Sequence, residues 1–306
     1  MGDSLLRIGS RGSQLALWQA NHIAGALRML GHEVSIEVIR TTGDRMQNIS
    51  FASVGAKGMF TKEIEEALLA GTIDLAVHSL KDLPTELGSQ FALAAIPKRA
   101  DPRDVFVSER YSAFDALPTG AVVGTSSLRR QAQLRALRPE LEYIEFRGNV
   151  DTRLAKLGQG KADAIILAAS GLDRLQKGES IRQRFAPEVL CPAPGQGALA
   201  IETRAGDEAM HGILQPLEDL DTRLAVTAER RCLAVLGGGC LVPIGAYCHS
   251  SGGELCLRAV VASPDGRRIL SAEERHTNPE ILGEQMARQL LDQGAGVILG
   301  LQEKHA

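Results

Sequence analysis

Apolar residues along the chain fall into short alternating or continuous runs and longer stretches with a helical repeat, and the two kinds take turns. Leu5-Leu6-Arg7-Ile8-Gly9 reads as a short strand. Ser10-Arg11-Gly12-Ser13 follows, then a helical run from Gln14 to Leu30 that Gly31 ends, and Val34 to Ile39 is a strand by alternation. Residues 41–58 are polar and glycine-bearing and predict a long mobile loop. Thr61 can cap a helix running through Ile64 and Leu68 to Gly71. Ile73 to Ser79 is then a buried strand, with Lys81 and Asp82 just past its end.

The same order of elements begins again near residue 103. Ala121 to Gly124 is a strand, Thr125-Ser126-Ser127 a cap, and Leu128 to Leu137 a helix. Tyr143 to Phe146 is a strand, Arg147-Gly148-Asn149 a basic turn, Val150 to Leu157 a helix, and Ala162 to Leu167 a buried strand. Even the lead-in recurs, Gly71-Thr72-Ile73-Asp74 against Gly160-Lys161-Ala162-Asp163. Strands alternating with helices predict an α/β architecture with mainly parallel sheets. Two such lobes predict a cleft, with ligands beyond the carboxyl ends of the strands. After residue 218 the pattern changes. Thr222 to Leu236 is helical, and three strands follow at Ile244–Cys248, Leu255–Val261 and Arg268–Glu273. Turns at Ser251-Gly252-Gly253 and Pro264-Asp265-Gly266 separate those strands, and Pro279 to Asp292 is a last helix. The expected organisation is one lobe from residues 1–99 and 195–218, a second from 100–194, and a C-terminal α+β domain with a small antiparallel sheet from 219–306.

A chain of 306 residues can bury a core that needs no disulfide or metal staple. Aromatic residues make up only 4%, which argues against a base-stacking nucleic-acid platform, and the net charge of -3 supplies no global field for DNA or an anionic membrane. No apolar run reaches the ~18 residues of a membrane span, and the first residues lack a secretory pattern, so the cytoplasm is the expected compartment. Cys232, Cys240, Cys248 and Cys256 are evenly spaced, yet no pair has the close spacing of structural zinc ligands, and with Cys191 they are expected to be free thiols without a metal.

If anions bind, local cations must hold them. The strongest cluster is Gly124-Thr125-Ser126-Ser127-Leu128-Arg129-Arg130, where hydroxyls surround a helix start and two arginines follow. Free N–H groups and the helix dipole favour an anion there, and arginine at such a position opposes the dipole unless an anion compensates it. The plain alternative is an N-cap with solvated arginines. Ser10-Arg11-Gly12-Ser13, Arg147-Gly148-Asn149 through Arg153, and Lys57-Gly58 before the Thr61 helix repeat the theme. Together they predict a polyanion site, and phosphate or carboxylate would satisfy it equally. In His78-Ser79-Leu80-Lys81-Asp82 the carboxylate can hold N–H donors and steady a cation while Lys81 binds a carboxylate; a structural ion pair is the alternative, and His78 reads as a packed strand residue. Gly195-Gln196-Gly197-Ala198-Leu199-Ala200 fits a dinucleotide fingerprint formally, but Cys191-Pro192-Ala193-Pro194 cannot be the strand that fingerprint needs, and a flexible connection between lobes fits better. Gly237-Gly238-Gly239-Cys240 places a thiol on a loop that permits close backbone approach, although a cysteine is more often a small buried hydrophobe.

These residues, in this order, resemble the porphobilinogen deaminase (hydroxymethylbilane synthase) family over nearly the whole chain. The likeness runs from Arg7-Ile8 and Leu15-Ala16-Leu17-Trp18-Gln19-Ala20 through Ala76 to Asp82, Asp101-Pro102-Arg103-Asp104, Gly124 to Arg130 and Arg147 to Val150. It continues in Gly195-Gln196-Gly197 and Gly238-Gly239-Cys240 with Val242 to Gly245. The resemblance implies two periplasmic-binding-protein-like lobes plus a third domain, and a reaction joining four porphobilinogen units head to tail with loss of ammonia. It implies a dipyrromethane cofactor on Cys240 through a thioether, and Asp82 as the carboxylate that holds pyrrole N–H groups and steadies the azafulvene cation. It places Arg11, Ser13, Lys57, Ser79, Lys81, Thr125, Ser126, Ser127, Arg129, Arg130, Arg147, Gly148, Arg153 and Gln196 around cofactor or substrate, and carboxylate then becomes the preferred anion. Ser53 stands where some members carry lysine, so it receives no role. A monomer is the family expectation, with no nucleic-acid or membrane partner. The rival reading is a non-catalytic two-lobed anion-binding receptor, which gives Cys240 and the third domain nothing to do.

Overall fold

The computed structural model describes residues 5–42, 61–237 and 242–301. Its strands are β1 (Leu6–Ser10), β2 (Val34–Val38), β3 (Leu75–Ser79), β4 (Phe91–Ala95), β5 (Asp104–Val107), β6 (Val122–Gly124), β7 (Glu142–Ile144), β8 (Ala164–Ala168), β9 (Ile181–Arg184), β10 (Leu199–Arg204), β11 (Ile244–Ser251), β12 (Glu254–Ala262) and β13 (Ile269–His276). The α-helices are α1 (Gln14–Met29), α2 (Lys62–Leu69), α3 (Leu128–Leu137), α4 (Val150–Gly158), α5 (Ala169–Arg174), α6 (Glu208–Leu214), α7 (Leu220–Val235), α8 (Pro279–Asp292) and α9 (Ala295–Leu299). They group into two compact units, one from residues 1–99 and 198–223, the other from residues 100–197 and 224–306.

In the first unit the sheet order is β2-β1-β3-β10-β4. β1 pairs in parallel with β2 and β3, whereas β10 is antiparallel to both β3 and β4. Four strands therefore run one way and one runs back. The mainly parallel sheet expected from the pattern is present, completed by β4 and β10, which the pattern did not announce. Ser13 starts α1 by accepting a hydrogen bond from the backbone N–H of Ala16 (3.3 Å). Along α1, Ala20, Ile23, Ala24 and Leu27 bury the face that packs with Leu6, Ile8, Leu75 and Val77 of the sheet.

The second unit holds two sheets. The larger has the order β7-β6-β8-β5-β9, with β6 parallel to β7 and β8, and β5 antiparallel to β8 and β9. Strand for strand this is the order of the first unit, with β5 as the reversed member, so the repeat read in the sequence is a repeat of topology. Phe106, Phe114 and Phe185 meet edge to face in its core. The smaller sheet is an antiparallel meander, β11-β12-β13. One face packs Cys248, Leu257, Ala259 and Val261 against Cys232 of α7 and Leu282, Met286 and Leu290 of α8. Cys232 and Cys248 serve there as small hydrophobes.

The Gly195-Gln196-Gly197 connection was expected to be flexible, and in this it differs. It is buried, and Glu229 of α7, itself fully buried, fastens it by accepting from the backbone N–H of Gly195 (2.7 Å). Glu229 also accepts from the N–H of Cys248 (2.8 Å), tying this turn to the small sheet. Gly197 has φ +88°, and a Cβ there would lie 2.6 Å from the carbonyl oxygen of Ala100, so both conformation and space require glycine.

Candidate active site

In the first unit the predicted site residues gather where β1 and β3 end. Leu80, Lys81 and Asp82 form a 3₁₀ turn directly after β3, which turns the Asp82 carboxylate out of the sheet, and Asp82 is exposed. Arg11 and Ser13 occupy the matching turn between β1 and α1, half-buried. A small open pocket of about 80 Å³ is lined by Arg11, Ser13, Gln19, His78, Ser79 and Asp82 among others. One carboxylate, one guanidinium and several hydrogen-bonding groups thus share a concavity. Ser79 is held by Gln19, whose amide donates to its hydroxyl (2.8 Å).

Beneath this pocket His78 and Glu202 form a buried pair, with His78 Nε2 3.0 Å from a carboxylate oxygen of Glu202. His78 is packed in its strand, as its position suggested. Glu202 was missed, because a lone acid in the apolar run of β10 has no local signal and its partner lies 124 positions away.

In the second unit the arginine cluster differs from a solvated helix start. Ser127 caps α3, accepting from the backbone N–H of Arg130 (3.4 Å). Thr125 accepts from the N–H of Ser127 (3.3 Å), and Ser126 from the N–H of Phe146 (3.0 Å). Arg129 and Arg130 are 4% and 6% exposed, and both bind one wholly buried carboxylate, Asp104 of β5. The compensating anion that two arginines at a helix start demand is therefore internal in part. Burial pushes the Asp104 carboxyl up, but the two arginines outweigh it and hold it far below the usual carboxylate range. Burial also lowers the Arg130 guanidinium from its ordinary value, opposed by Asp104. Two guanidiniums on one carboxylate leave a net positive charge, a fit for an acid-bearing ligand.

Gln196 joins this network. Its amide donates to Asp104 (2.9 Å) and to the carbonyl of Pro102 (2.7 Å), and its own oxygen accepts from Arg130 (3.4 Å). Arg147, half-buried after β7, donates to Glu145 through Nε (2.7 Å). Gly148 has φ +124°, with space closed by Thr152, and so aims the turn into α4, whose N-cap is Asn149; Arg153 follows half-buried on that helix. Lys57, Cys240 and Ser53 lie outside the described residues. The Asp104 carboxylate had stood in a quoted motif without a role. A charge beside Val105-Phe106-Val107 was its only signal.

Sheets of this order, with cations and hydroxyls at their strand ends and a carboxylate facing a small pocket, define an α/β protein with polar groups collected beyond the carboxyl ends of its strands. Residues 6–212 match the family profile described as porphobilinogen deaminase, dipyromethane cofactor binding domain, and residues 223–292 match porphobilinogen deaminase, C-terminal domain. A porphobilinogen deaminase from Thiobacillus denitrificans is 50% identical over 298 residues, covering 96% of this chain and 97% of its own. Another from Roseiflexus sp. is 50% identical over 297 residues, covering 96% and 98%. Among solved structures, a periplasmic binding protein from Salmonella typhimurium covers 72% of this chain and 93% of its own, at 12% identity and a TM-score of 0.41. The chain belongs to the porphobilinogen deaminase family.

Proposed function

We propose that this chain is a transferase that condenses four porphobilinogen molecules head to tail, releasing ammonia at each step, to give hydroxymethylbilane. Family membership over both matched domains supports the reaction, and the observation that carries its chemistry is Asp82 exposed in a pocket beside Arg11. In this reading residues 1–99 and 195–218 supply the carboxylate, residues 100–194 the arginines, and residues 219–306 the thiol of Cys240.

When bound through Cys240, dipyrromethane supplies a pyrrole with a free α-carbon from which the product is extended. The residues of the chain do the rest. Asp82 accepts pyrrole N–H bonds, keeps its negative charge against the cation left by departing ammonia, and takes the proton lost at the new carbon–carbon bond. Arg11, Ser13, Ser79 and Lys81 take the carboxylate side chains at the first unit's strand ends, with Lys57 preceding α2. Thr125, Ser126, Ser127, Arg129, Arg147, Gly148 and Arg153 form the corresponding set at those of the second, with Arg130 and Gln196 bracing them from within. Cys191 and Cys232 are poor candidates for the linkage, since burial pushes both thiols up to about 12. The protein acts as a monomer in the cytoplasm, and no described helix is long and apolar enough to cross a membrane.

The test is turnover of porphobilinogen, followed as ammonia released, in wild type and Asp82→Asn. The variant keeps shape and loses charge, so it should fold normally and lose at least about a hundredfold in kcat, in line with removal of a general acid-base or charge-stabilising group. Near-normal turnover would remove Asp82 from the mechanism. A wild-type chain that binds porphobilinogen but releases no ammonia would favour the receptor.

A further inference from the structure

Arg129 and Arg130 are adjacent and similarly buried, yet their hydrogen bonds divide them. Every nitrogen of the Arg130 side chain is engaged. Nε donates to Asp104 Oδ1 (2.9 Å), Nη1 to the carbonyl of Ile166 (3.1 Å), and Nη2 to Gln196 (3.4 Å), with Nη2 also 2.7 Å from Asp104. Arg129 uses Nη1 alone, which donates to Asp104 Oδ2 (2.7 Å) and to the carbonyl of Cys191 (2.6 Å). Its Nε and Nη2 have no hydrogen-bond partner among the described residues. Neither atom is among the sealed, unpartnered side-chain nitrogens of the described residues, so in a guanidinium only 4% exposed this edge is the part that still reaches solvent. That edge is the two-pronged face that takes a carboxylate by parallel hydrogen bonds.

Resting on the function proposed above, we infer that Asp104 is a positioning residue that makes Arg130 an inward brace and aims the Nε–Nη2 edge of Arg129 at one carboxylate of the bound oligopyrrole. Asp104 can do this because both its oxygens are taken, one by Arg129 and the other by Arg130 and Gln196. Gln196 is itself held to the carbonyl of Pro102. The carboxylate therefore has no alternative orientation that keeps its bonds, and neither arginine can swing without breaking one. The ligand's carboxylate would neutralise the charge that Asp104 leaves uncompensated. Arg129 is then the member of the pair that touches the ligand, and Arg130 acts through Asp104.

The test uses the full chain, with three readouts: the fraction carrying dipyrromethane by intact mass, KM and kcat for porphobilinogen, and the thermal midpoint. In Asp104→Asn the charge and one acceptor oxygen are lost at constant size. The loaded fraction should fall below about half of wild type and KM should rise about tenfold or more, with kcat of the loaded fraction within about threefold, as expected for losing one aimed charge-assisted bond. Should Asp104→Asn not fold, Arg129→Lys decides: it keeps the charge and discards the fork, and the same rise in KM is expected at a near-unchanged thermal midpoint. A lower midpoint with loading and KM as in wild type would make Asp104 structural only and overturn the inference. Failure of the functional reading looks different, because wild type itself would then carry no added mass and release no ammonia.

Discussion

Asp104 and Asp82 show how far residue type alone falls short of role. Both are acids beside cations, but one is sealed under two arginines while the other is exposed at a strand end. On the proposals above the buried one orients and the exposed one reacts, so the two Asp→Asn variants should separate: Asp82→Asn in kcat, Asp104→Asn in KM and cofactor loading. Buried thiols supply a pH prediction. Their folded value of about 12 lies above the ordinary ~8.5, so as pH rises the unfolded chain loses these protons first. The stability tied to Cys191 and Cys232 is then complete below about pH 8.5 and is lost on the way to about 12. Urea midpoints should fall across that range, and replacing Cys232 with alanine should flatten the fall; an equal fall without it would contradict the assignment. At this scale the sequence was readable where chemistry is announced by neighbours, as at Thr125 to Arg130. It was silent at Glu202 and Glu229, because each meets its partner only after the chain has crossed a sheet.

Elements were read best where periodicity is long. The helix from Leu128 to Leu137 and that from Pro279 to Asp292 fall on the expected residues; the first two meander strands are extended at their ends, and the third is shifted, starting at Ile269 instead of Arg268 and running on to His276. What escaped were β4, β5, β9 and β10. Each takes its place in a sheet from partners remote in sequence, with β5 and β10 running against their neighbours. The caps make an element-scale prediction. Ser127→Ala removes the hydroxyl that accepts from Arg130 and should cost about 1 kcal/mol in unfolding free energy. Because Arg129 and Arg130 open the same helix, KM should rise in this variant as well, and an unchanged KM would mean that the helix start does not set the arginines. Gly197→Ala should be worse, by about 1–3 kcal/mol, since it forces a strained φ and a Cβ against the Ala100 carbonyl. Chemical denaturation of both variants checks the ranking.

As a whole the molecule carries a net charge of -3, and yet its named binding groups are nearly all cationic or hydroxylic. On the proposed function, attraction for an acidic substrate comes from local clusters, and screening should weaken it: KM should rise as salt is increased from about 0.05 to about 0.5 M, with kcat nearly constant. The repeated strand order explains why two such clusters exist, since the same turn at the end of the same strand recurs in each unit.

The central claim is that these groups serve an oligopyrrole tethered to one thiol. Intact mass of the protein purified from cells that make porphobilinogen tests it most directly. Wild type should exceed the mass of its 306 residues by one dipyrromethane, and Cys240→Ala should show none. An unmodified wild-type chain, or the same excess in Cys240→Ala, would contradict the account.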